Sequence, residues 1–256
     1  AKASASRQAA AKVATSGEAV ASAMALPRTA RQQSDEGRDS HADPGSGKGE
    51  PSIADIAAMF RREAPQEGGF RLMIAGENND IDPRDEAAEL SAELSEIGAT
   101  TVIIDWTLSG QPLLGDISIG QTSSMADLLA GTAEFDDVIV ALPDSNVHYI
   151  YSSKAANNKE LMDENGLNMV LDALDEVYDN VIVLGRYDDA RTLFETIEGR
   201  FDAGLIVADG ETRSSVASTG NFLGFEVADV KVVRYCRILG GAAKASRLTR
   251  KMRGAV

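Results

Sequence analysis

The 256-residue sequence has few of the side chains on which metal and thiol chemistry depend. Its single cysteine, Cys236, excludes an intramolecular disulfide and a Cys-built zinc or iron–sulfur site, and fits a reducing compartment. Its two histidines, His41 and His148, are far apart, which argues against a His-rich metal site. The sequence also lacks any run near the about 18 consecutive apolar residues of a transmembrane helix. We therefore predict no metal site and no membrane-spanning helix in these residues.

Positive charge is scarce and unevenly placed. The chain has 40 acidic and 25 basic residues, a net charge of -15, and such a surface repels nucleic acid phosphates. Residues 51–230 hold 34 acidic and 10 basic side chains, whereas Lys231–Val256 hold eight basic ones and no acidic one. Nucleic acid is therefore not an expected partner. Two interpretations of the basic end stay open: a partly helical tail that pairs with the protein's own acidic surface, or a contact with anionic lipid headgroups.

Composition divides the chain into three parts. Residues 1–50 are rich in Ala, Ser and Gly and have few large apolar side chains. Ordering them would cost about 1–2 kcal/mol per residue with little burial to offset it. We predict a flexible linker over 1–50, an α/β domain over 51–235 and a basic tail over 236–256.

Short runs rich in Val and Ile alternate with amphipathic helical periods in the central part. Apolar strands joined by such helices are typical of a doubly wound, mainly parallel sheet flanked by helices. The predicted strands are Phe70–Ala75, Thr101–Asp105, Asp137–Leu142, Val147–Tyr151, Val181–Leu184 and Ala203–Ala208, and the predicted helices are Asp85–Ile97, Glu160–Tyr178 and Asp188–Arg200.

The first strand-to-helix turn, which starts at Gly76, is the usual phosphate site of such a sheet. Aligned with GxxxxGK[ST], it has Ile81 at the second glycine or, with one inserted residue, Asp82. In that longer register Pro83 and Arg84 stand at the lysine and hydroxyl positions. Its carboxylates would repel a triphosphate. The pattern favours an ordinary helix start, with Asp82 as the N-cap and Pro83 in the first turn.

Further interpretations concern this turn and four residues outside it. A hard cation bound by Asp80, Asp82 and Asp85 is the less favoured alternative, because the spacing lacks the glycine and distal glutamate of an EF-hand loop. Trp106 is expected to pack in the core rather than to stack on a nucleobase. Ser123 and Ser124 are interpreted as N-cap residues rather than nucleophiles, and Cys236 as a buried thiol.

The chain resembles the cytoplasmic domain of bacterial tyrosine kinases and polysaccharide co-polymerases (chain-length determinants), in the MinD-like branch of P-loop proteins. The resemblance lies in the run RLMIAGENNDIDPRDEAAELSAELSEIGATTVIIDWTLSGQPLLG, followed by SSMADLLAGTAEFDDVI. Ser124–Gly131 (SMADLLAG) matches a family phrase of the form GLxxLLxG, and the likeness extends over about Ser52 to Val233. It implies a MinD-like P-loop NTPase fold.

The sequence departs from the nucleotide motifs of that family. Asp105 stands at the first aspartate of the DxDxR motif, but Thr107 and Ser109 replace its second aspartate and its arginine. Leu184 replaces the aspartate that ends the phrase YDxVIxD, and Tyr235 is the only tyrosine beyond position 187, where active kinases have a tyrosine-rich tail.

We therefore predict no catalytic residue, no metal and no cofactor, and a relict nucleotide pocket. Its predicted residues are Gly76, Pro83, Arg84, Asp105 and Leu184. Asp105 is interpreted as a structural carboxylate at the end of a strand, with a relict metal or water ligand as the alternative.

The resemblance implies a catalytically inactive, kinase-like cytoplasmic domain with a structural or regulatory role in exopolysaccharide or capsule biosynthesis and export. It would lie at the cytoplasmic face of a bacterial inner membrane, in a larger membrane-anchored protein. Expected partners are further copies of the chain, polysaccharide export or polymerase components, and an anionic membrane surface through the basic tail. One alternative is a divergent ATP- and Mg-binding tyrosine autokinase in which Arg84 or Arg71 replaces the lysine. Another is a regulator of a separate active kinase.

Overall fold

A computed structural model of the chain describes residues 51–65, 68–96, 98–108, 123–143, 145–152, 163–209 and 221–237. The linker predicted over 1–50 and the tail beyond 237 lie outside these residues. The helices are α1 (Ile53–Glu63), α2 (Arg84–Ser95), α3 (Met125–Leu129), α4 (Phe135–Val138), α5 (Glu164–Asp175) and α6 (Tyr187–Thr196). The strands are β1 (Phe70–Gly76), β2 (Thr101–Asp105), β3 (Val140–Ala141), β4 (Val147–Tyr151), β5 (Asn180–Gly185), β6 (Ala203–Asp209) and β7 (Lys231–Arg237).

The strands form one seven-stranded sheet in the order β3-β4-β2-β5-β1-β6-β7. Every neighbouring pair is parallel except β3 and β4, which are antiparallel. From β1, the strands β2 and β4 lie on one side of the sheet, beyond β5, and β6 and β7 lie on the other side. This change of direction is typical of doubly wound sheets. The prediction of a doubly wound, mainly parallel α/β fold is confirmed.

Helices cover both faces of the sheet, which is why its strands are apolar on both sides. Along β1, Leu72 and Ile74 pack in the same buried cluster as residues of α1 and α2. Met73 and Ala75, which alternate with them, pack in the other cluster, with residues of α3 to α6. Trp106 lies in this second cluster and is 1% exposed, which confirms its predicted packing role.

Helix starts follow the capping signals of the sequence in part. Ser124 caps α3 and forms a capping box with Asp127, which confirms its predicted role. The prediction for α2 is displaced by one residue, because Pro83 occupies the N-cap position and the helix begins at Arg84. Asp82 still contributes, since its Oδ1 accepts the backbone N–H of Arg84 at 3.1 Å.

Three elements differ from the sequence predictions. Asp137–Leu142 is not a continuous strand: α4 ends at Val138, and only Val140–Ala141 pair with β4. The cause is a capping box between Glu134 and Asp137, together with burial of Phe135 and Val138 one turn apart. Helix α1 was not predicted, although Ser52 and Asp55 form a capping box at its start.

The third difference is β7, in a segment that the sequence suggests is a partly helical arm. Lys231–Arg237 instead form a strand parallel to β6, with Val232, Val233 and Cys236 buried. The strand includes Cys236 and Arg237, which the sequence assigns to the tail. Burial of Cys236 confirms the prediction for that thiol. Within the described residues, no helix combines the length and the apolar character needed to cross a membrane.

A half-buried histidine gives the fold an expected pH dependence. Nδ1 of His148 lies 2.5 Å from the hydroxyl of Tyr178, and burial lowers the pKa of His148 below its ordinary value of 6.5. Below about pH 6.5 the unfolded chain therefore binds more protons at this residue than the folded chain does. We expect the His148 contribution to stability to be full near pH 7.5 and to decline, by under about 1 kcal/mol, as the pH falls to 5.5.

Urea unfolding of the wild type and of His148→Gln at both pH values, followed by Trp106 fluorescence, measures this contribution. The variant comparison is needed because burial raises the pKa values of Asp175 and Asp189, and raised carboxyl pKa values oppose the His148 effect. Equal losses of stability in the wild type and the variant would contradict the expected role of His148.

Candidate functional site at the carboxyl edge of the sheet

The sheet brings together the ends of three strands that carry predicted site residues. Gly76 is the last residue of β1, Asp105 is the last residue of β2, and Leu184 lies near the end of β5 between them. In the strand register Leu184 is opposite both Ile74 and Asp105. Pro83 and Arg84 follow at the start of α2. The five residues predicted for the pocket thus lie at one edge of the sheet, where ligands of such folds bind.

Residues 77–83, called here the 77–83 loop, fold back onto the end of β1. A Cβ atom on Gly76 would lie 2.3 Å from the carbonyl oxygen of Ile81 and 2.8 Å from that of Asn78. The Ile81 side chain is 5% exposed. The space beside Gly76 is therefore occupied by carbonyl oxygens, whereas a phosphate cradle presents backbone N–H groups.

Several backbone N–H groups of this loop donate hydrogen bonds to the protein itself. The N–H of Glu77 donates to the carbonyl of Val207 at 2.8 Å. Those of Asp80 and Ile81 donate to the side chain and the carbonyl of Asn78, at 2.9 and 3.3 Å. Pro83 has no N–H to offer. These N–H groups donate within the protein and are not available to a phosphate.

The loop is also tied to the start of α6. The side chain of Asn79 donates to the carboxylate of Asp188, and its Oδ1 accepts the backbone N–H of Asp188 at 3.0 Å. Next to it, Asp189 accepts the N–H of Leu108 at 3.4 Å. Burial raises the pKa of Asp189, although this hydrogen bond and the charge of Arg186 act in the opposite direction. The sequence analysis did not single out these contacts, which join residues more than 80 positions apart.

Asp105 is fully buried and is bound by hydroxyl groups. Its Oδ1 accepts the hydroxyl of Thr107 at 2.5 Å, and its Oδ2 accepts the hydroxyl of Tyr149 at 2.8 Å. Burial, followed by the charge of Asp105, raises the pKa of Tyr149 well above its ordinary value, so this phenol stays a donor. Ser152 extends the network, since its hydroxyl and the Thr107 backbone exchange hydrogen bonds at 2.8 and 2.9 Å. Thr107, at a motif position for aspartate, thus acts as a partner of Asp105.

The cations suggested as replacements for the missing lysine are paired with carboxylates. Arg84 binds Asp82 through Nε at 2.6 Å and through Nη2, and this hydrogen bond raises the pKa of Arg84. Arg71 lies at the opposite edge of the sheet, in an ion pair with Asp172 at 2.6 Å and with Asp175 at 3.3 Å. Gly76 is five positions after Arg71 in β1, which corresponds to about 16 Å along a strand. Arg71 is therefore too far from the end of β1 to replace the missing lysine.

Two arginines of β7 reach the same edge of the sheet, and the sequence analysis did not assign them to it. Arg234 contacts Glu77 in the loop, with Nε 2.8 Å from Oε1. Arg237 contacts Glu86 in α2 and donates to the backbone carbonyl of Asp82. Their only sequence signal is the run KVVRYCR, whose apolar and β-branched residues are typical of a strand.

These residues do not fit a magnesium triphosphate. A triphosphate needs convergent N–H donors and a cation that is not already paired. The edge instead presents carbonyl oxygens beside Gly76 and places Arg84 in an ion pair with Asp82. Leu184 is fully buried where the motif has a carboxylate. Among the described residues, no group of three or more His, Cys, Asp or Glu side chains is arranged to hold a metal ion, Asp80, Asp82 and Asp85 included.

The seven-stranded, mainly parallel sheet flanked by helices gives the chain a fold similar to that of MinD-like P-loop NTPases. The kinase domain of the Escherichia coli tyrosine kinase ETK is similar in structure, with 19% sequence identity over 62% of each chain and a TM-score of 0.52. The chain thus spans 62% of the length of that domain. The BceF tyrosine kinase domain matches with 15% identity over 78% of this chain and 72% of its own, at a TM-score of 0.48. No protein-family profile and no curated protein sequence matches the chain.

MinD from Pyrococcus horikoshii, solved with Mg-ADP, also matches, with 21% identity over 56% of this chain and 59% of its own, at a TM-score of 0.44. The assignment of the fold rests on the ETK domain, whose TM-score is the highest of these three. The predicted resemblance to bacterial tyrosine kinase domains is confirmed at the level of the fold.

Proposed function

We propose that the chain is a non-catalytic, tyrosine-kinase-like domain with a structural or regulatory role in exopolysaccharide or capsule biosynthesis and export. One observation carries the proposal: the 77–83 loop is closed over Gly76, and its Glu77 and Asp82 are paired with arginines of the protein. Phosphoryl transfer depends on positioning and on stabilisation by lysine and magnesium. The carboxyl edge of the sheet, as far as the structure describes it, fits neither the lysine nor the magnesium ion of this mechanism. It therefore has no evident means of lowering the barrier to phosphoryl transfer.

A domain without catalytic activity acts through the contacts that its surface makes. The part over 51–230 is strongly acidic and the residues after it are basic, so copies of the chain are expected to attract one another. We propose that copies of the chain associate through the basic tail at the cytoplasmic face of a membrane. We also propose that polysaccharide export or polymerase components bind the chain. Anionic lipid is a second proposed contact of the tail, favoured by about 1 kcal/mol per basic residue near the surface.

Native mass spectrometry, at low and at high ionic strength and with or without ATP and Mg²⁺, tests both parts of the proposal. We expect no nucleotide adduct under conditions in which the ETK kinase domain carries one. We expect oligomers at low ionic strength that dissociate at high ionic strength, because screening weakens contacts between exposed charges. The matched control is a chain of equal length with the tail's basic residues changed to Gln, namely Lys244, Arg247, Arg250, Lys251 and Arg253.

The nucleotide adduct and the oligomeric state test separate parts of the proposal. A saturable ATP adduct would contradict the non-catalytic proposal and favour a divergent autokinase. Oligomers that survive both high ionic strength and the neutralised tail would contradict assembly through the tail. A chain lacking residues 238–256 is the second control, and it must retain Arg237 because that residue belongs to β7.

A further inference from the structure

Three basic side chains of β7 each bind a different neighbouring element. Lys231 pairs with Glu63 at the end of α1. Arg234 pairs with Glu77, the first residue of the 77–83 loop, at 2.7 Å, and Arg237 pairs with Glu86 in the first turn of α2, also at 2.7 Å. The last strand of the sheet is therefore attached, through side chains, to α1, to the loop and to α2.

Arg237 makes the most extensive of these contacts. Its Nε and Nη2 bind the two carboxylate oxygens of Glu86, each at 2.7 Å, in a bidentate pair. Nη2 also donates to the carbonyl oxygen of Asp82, near the end of the loop, and Nη1 lies 3.7 Å from Asp209. One guanidinium group thus joins the ends of β6 and β7 to the loop and to α2.

Burial of the pair between Arg237 and Glu86 makes it important for stability. The Glu86 side chain is 9% exposed and that of Arg237 is 27% exposed. A carboxylate this deeply buried needs a partner, because a buried charge left unpaired is strongly destabilising. Arg234 is held in turn by Glu77 and by Cys236, whose Sγ lies 2.8 Å from its Nη1. The loop is therefore fixed at its first residue and near its last.

We propose that Arg234 and Arg237 form a latch that couples the docking of β7 to the closed state of the 77–83 loop. In this role the two guanidinium groups hold the loop through contacts within the chain. Coupling between two sites is reciprocal. Weakening the latch at Arg237 should release the loop, and weakening it at Glu86 should release the carboxyl end of β7.

Hydrogen exchange of the full chain, read by mass spectrometry at peptide resolution, tests the latch. In Arg237→Gln we expect amides of residues 77–83 to exchange at least about tenfold faster than in the wild type, since an ion pair that closes the loop is lost. In Glu86→Gln we expect the same acceleration in the loop and also in residues 231–237. Arg191→Gln is the matched control, because Arg191 binds the carbonyl of Leu223 and the Phe225 ring, away from the loop.

Each outcome decides the question. Unchanged loop exchange in both Arg237→Gln and Glu86→Gln would overturn the latch, as would an equal acceleration throughout the central strands. Should Arg237→Gln fail to fold, Arg237→Lys takes its place, since it keeps the charge but loses the bidentate geometry; loop exchange equal to wild type in that variant would also overturn the latch. ATP binding by the chain would contradict the proposed function and leave the latch intact.

Discussion

Asp105→Ala is expected to lower the free energy of unfolding by about 2–5 kcal/mol, because it leaves two hydroxyl groups without an acceptor. The hydroxyls of Thr107 and Tyr149 both donate to this carboxyl group, and all three residues are buried. A buried donor without a partner costs about 1–3 kcal/mol. Asp105→Asn should cost under about 1.5 kcal/mol, because the amide has a similar shape and can bond to both hydroxyl groups.

Urea unfolding measures both variants, and Tyr149→Phe completes a double-mutant cycle with Asp105→Ala. We expect the two residues to be coupled, so that the double variant loses less stability than the sum of the single variants. Additive losses would contradict a structural pairing of Asp105 with Tyr149. The outcome matters for function because a carboxyl group occupied by neighbouring hydroxyls serves the fold.

Gly76→Ala is also expected to have a large effect. It should lower the free energy of unfolding by about 1–3 kcal/mol, toward the upper end of that range. The added Cβ would lie 2.3 Å from the carbonyl oxygen of Ile81. The colliding atom belongs to the backbone, so no side-chain rotation relieves the contact and the 77–83 loop must move. Movement of the loop would also expose Ile81, which is now buried.

Thermal and urea unfolding of Gly76→Ala test this expectation, with Gly166→Ala as the control. A Cβ on Gly166, in α5, would meet the side chains of Asp163 and Leu129 at 3.0 Å, and these can adjust. The control gains helix propensity and should remain within about 1 kcal/mol of the wild type. Wild-type stability in Gly76→Ala would contradict the close approach of the loop to the end of β1.

Local sequence patterns were sufficient for most of the sheet. The strands β1, β2, β4, β5 and β6 are buried on both faces, so their Val- and Ile-rich runs are unambiguous. The pattern was misleading in Asp137–Leu142, where a capping box at Glu134 starts a short helix before β3. It was insufficient for Lys231–Arg237, because a basic residue at every third position hid a strand whose apolar residues are buried.

The site was predictable in position but not in its contacts. Gly76, Asp105 and Leu184 were expected to converge, since parallel strands end at one edge of a sheet. The pair between Arg237 and Glu86 joins residues 151 positions apart, and no local spacing indicates it. The hydroxyl partners of Asp105 were hidden for the same reason, because Tyr149 approaches it across neighbouring strands, 44 residues later in the chain.

The direction of β7 has a practical consequence for labelling the protein. Because β7 runs parallel to β6, its last described residue, Arg237, lies on the side of the sheet where β1 also ends. A dye or crosslinker attached at the end of β7 therefore lies next to Asp82 and Glu86. Such a probe samples the surroundings of the 77–83 loop, and the same attachment perturbs them.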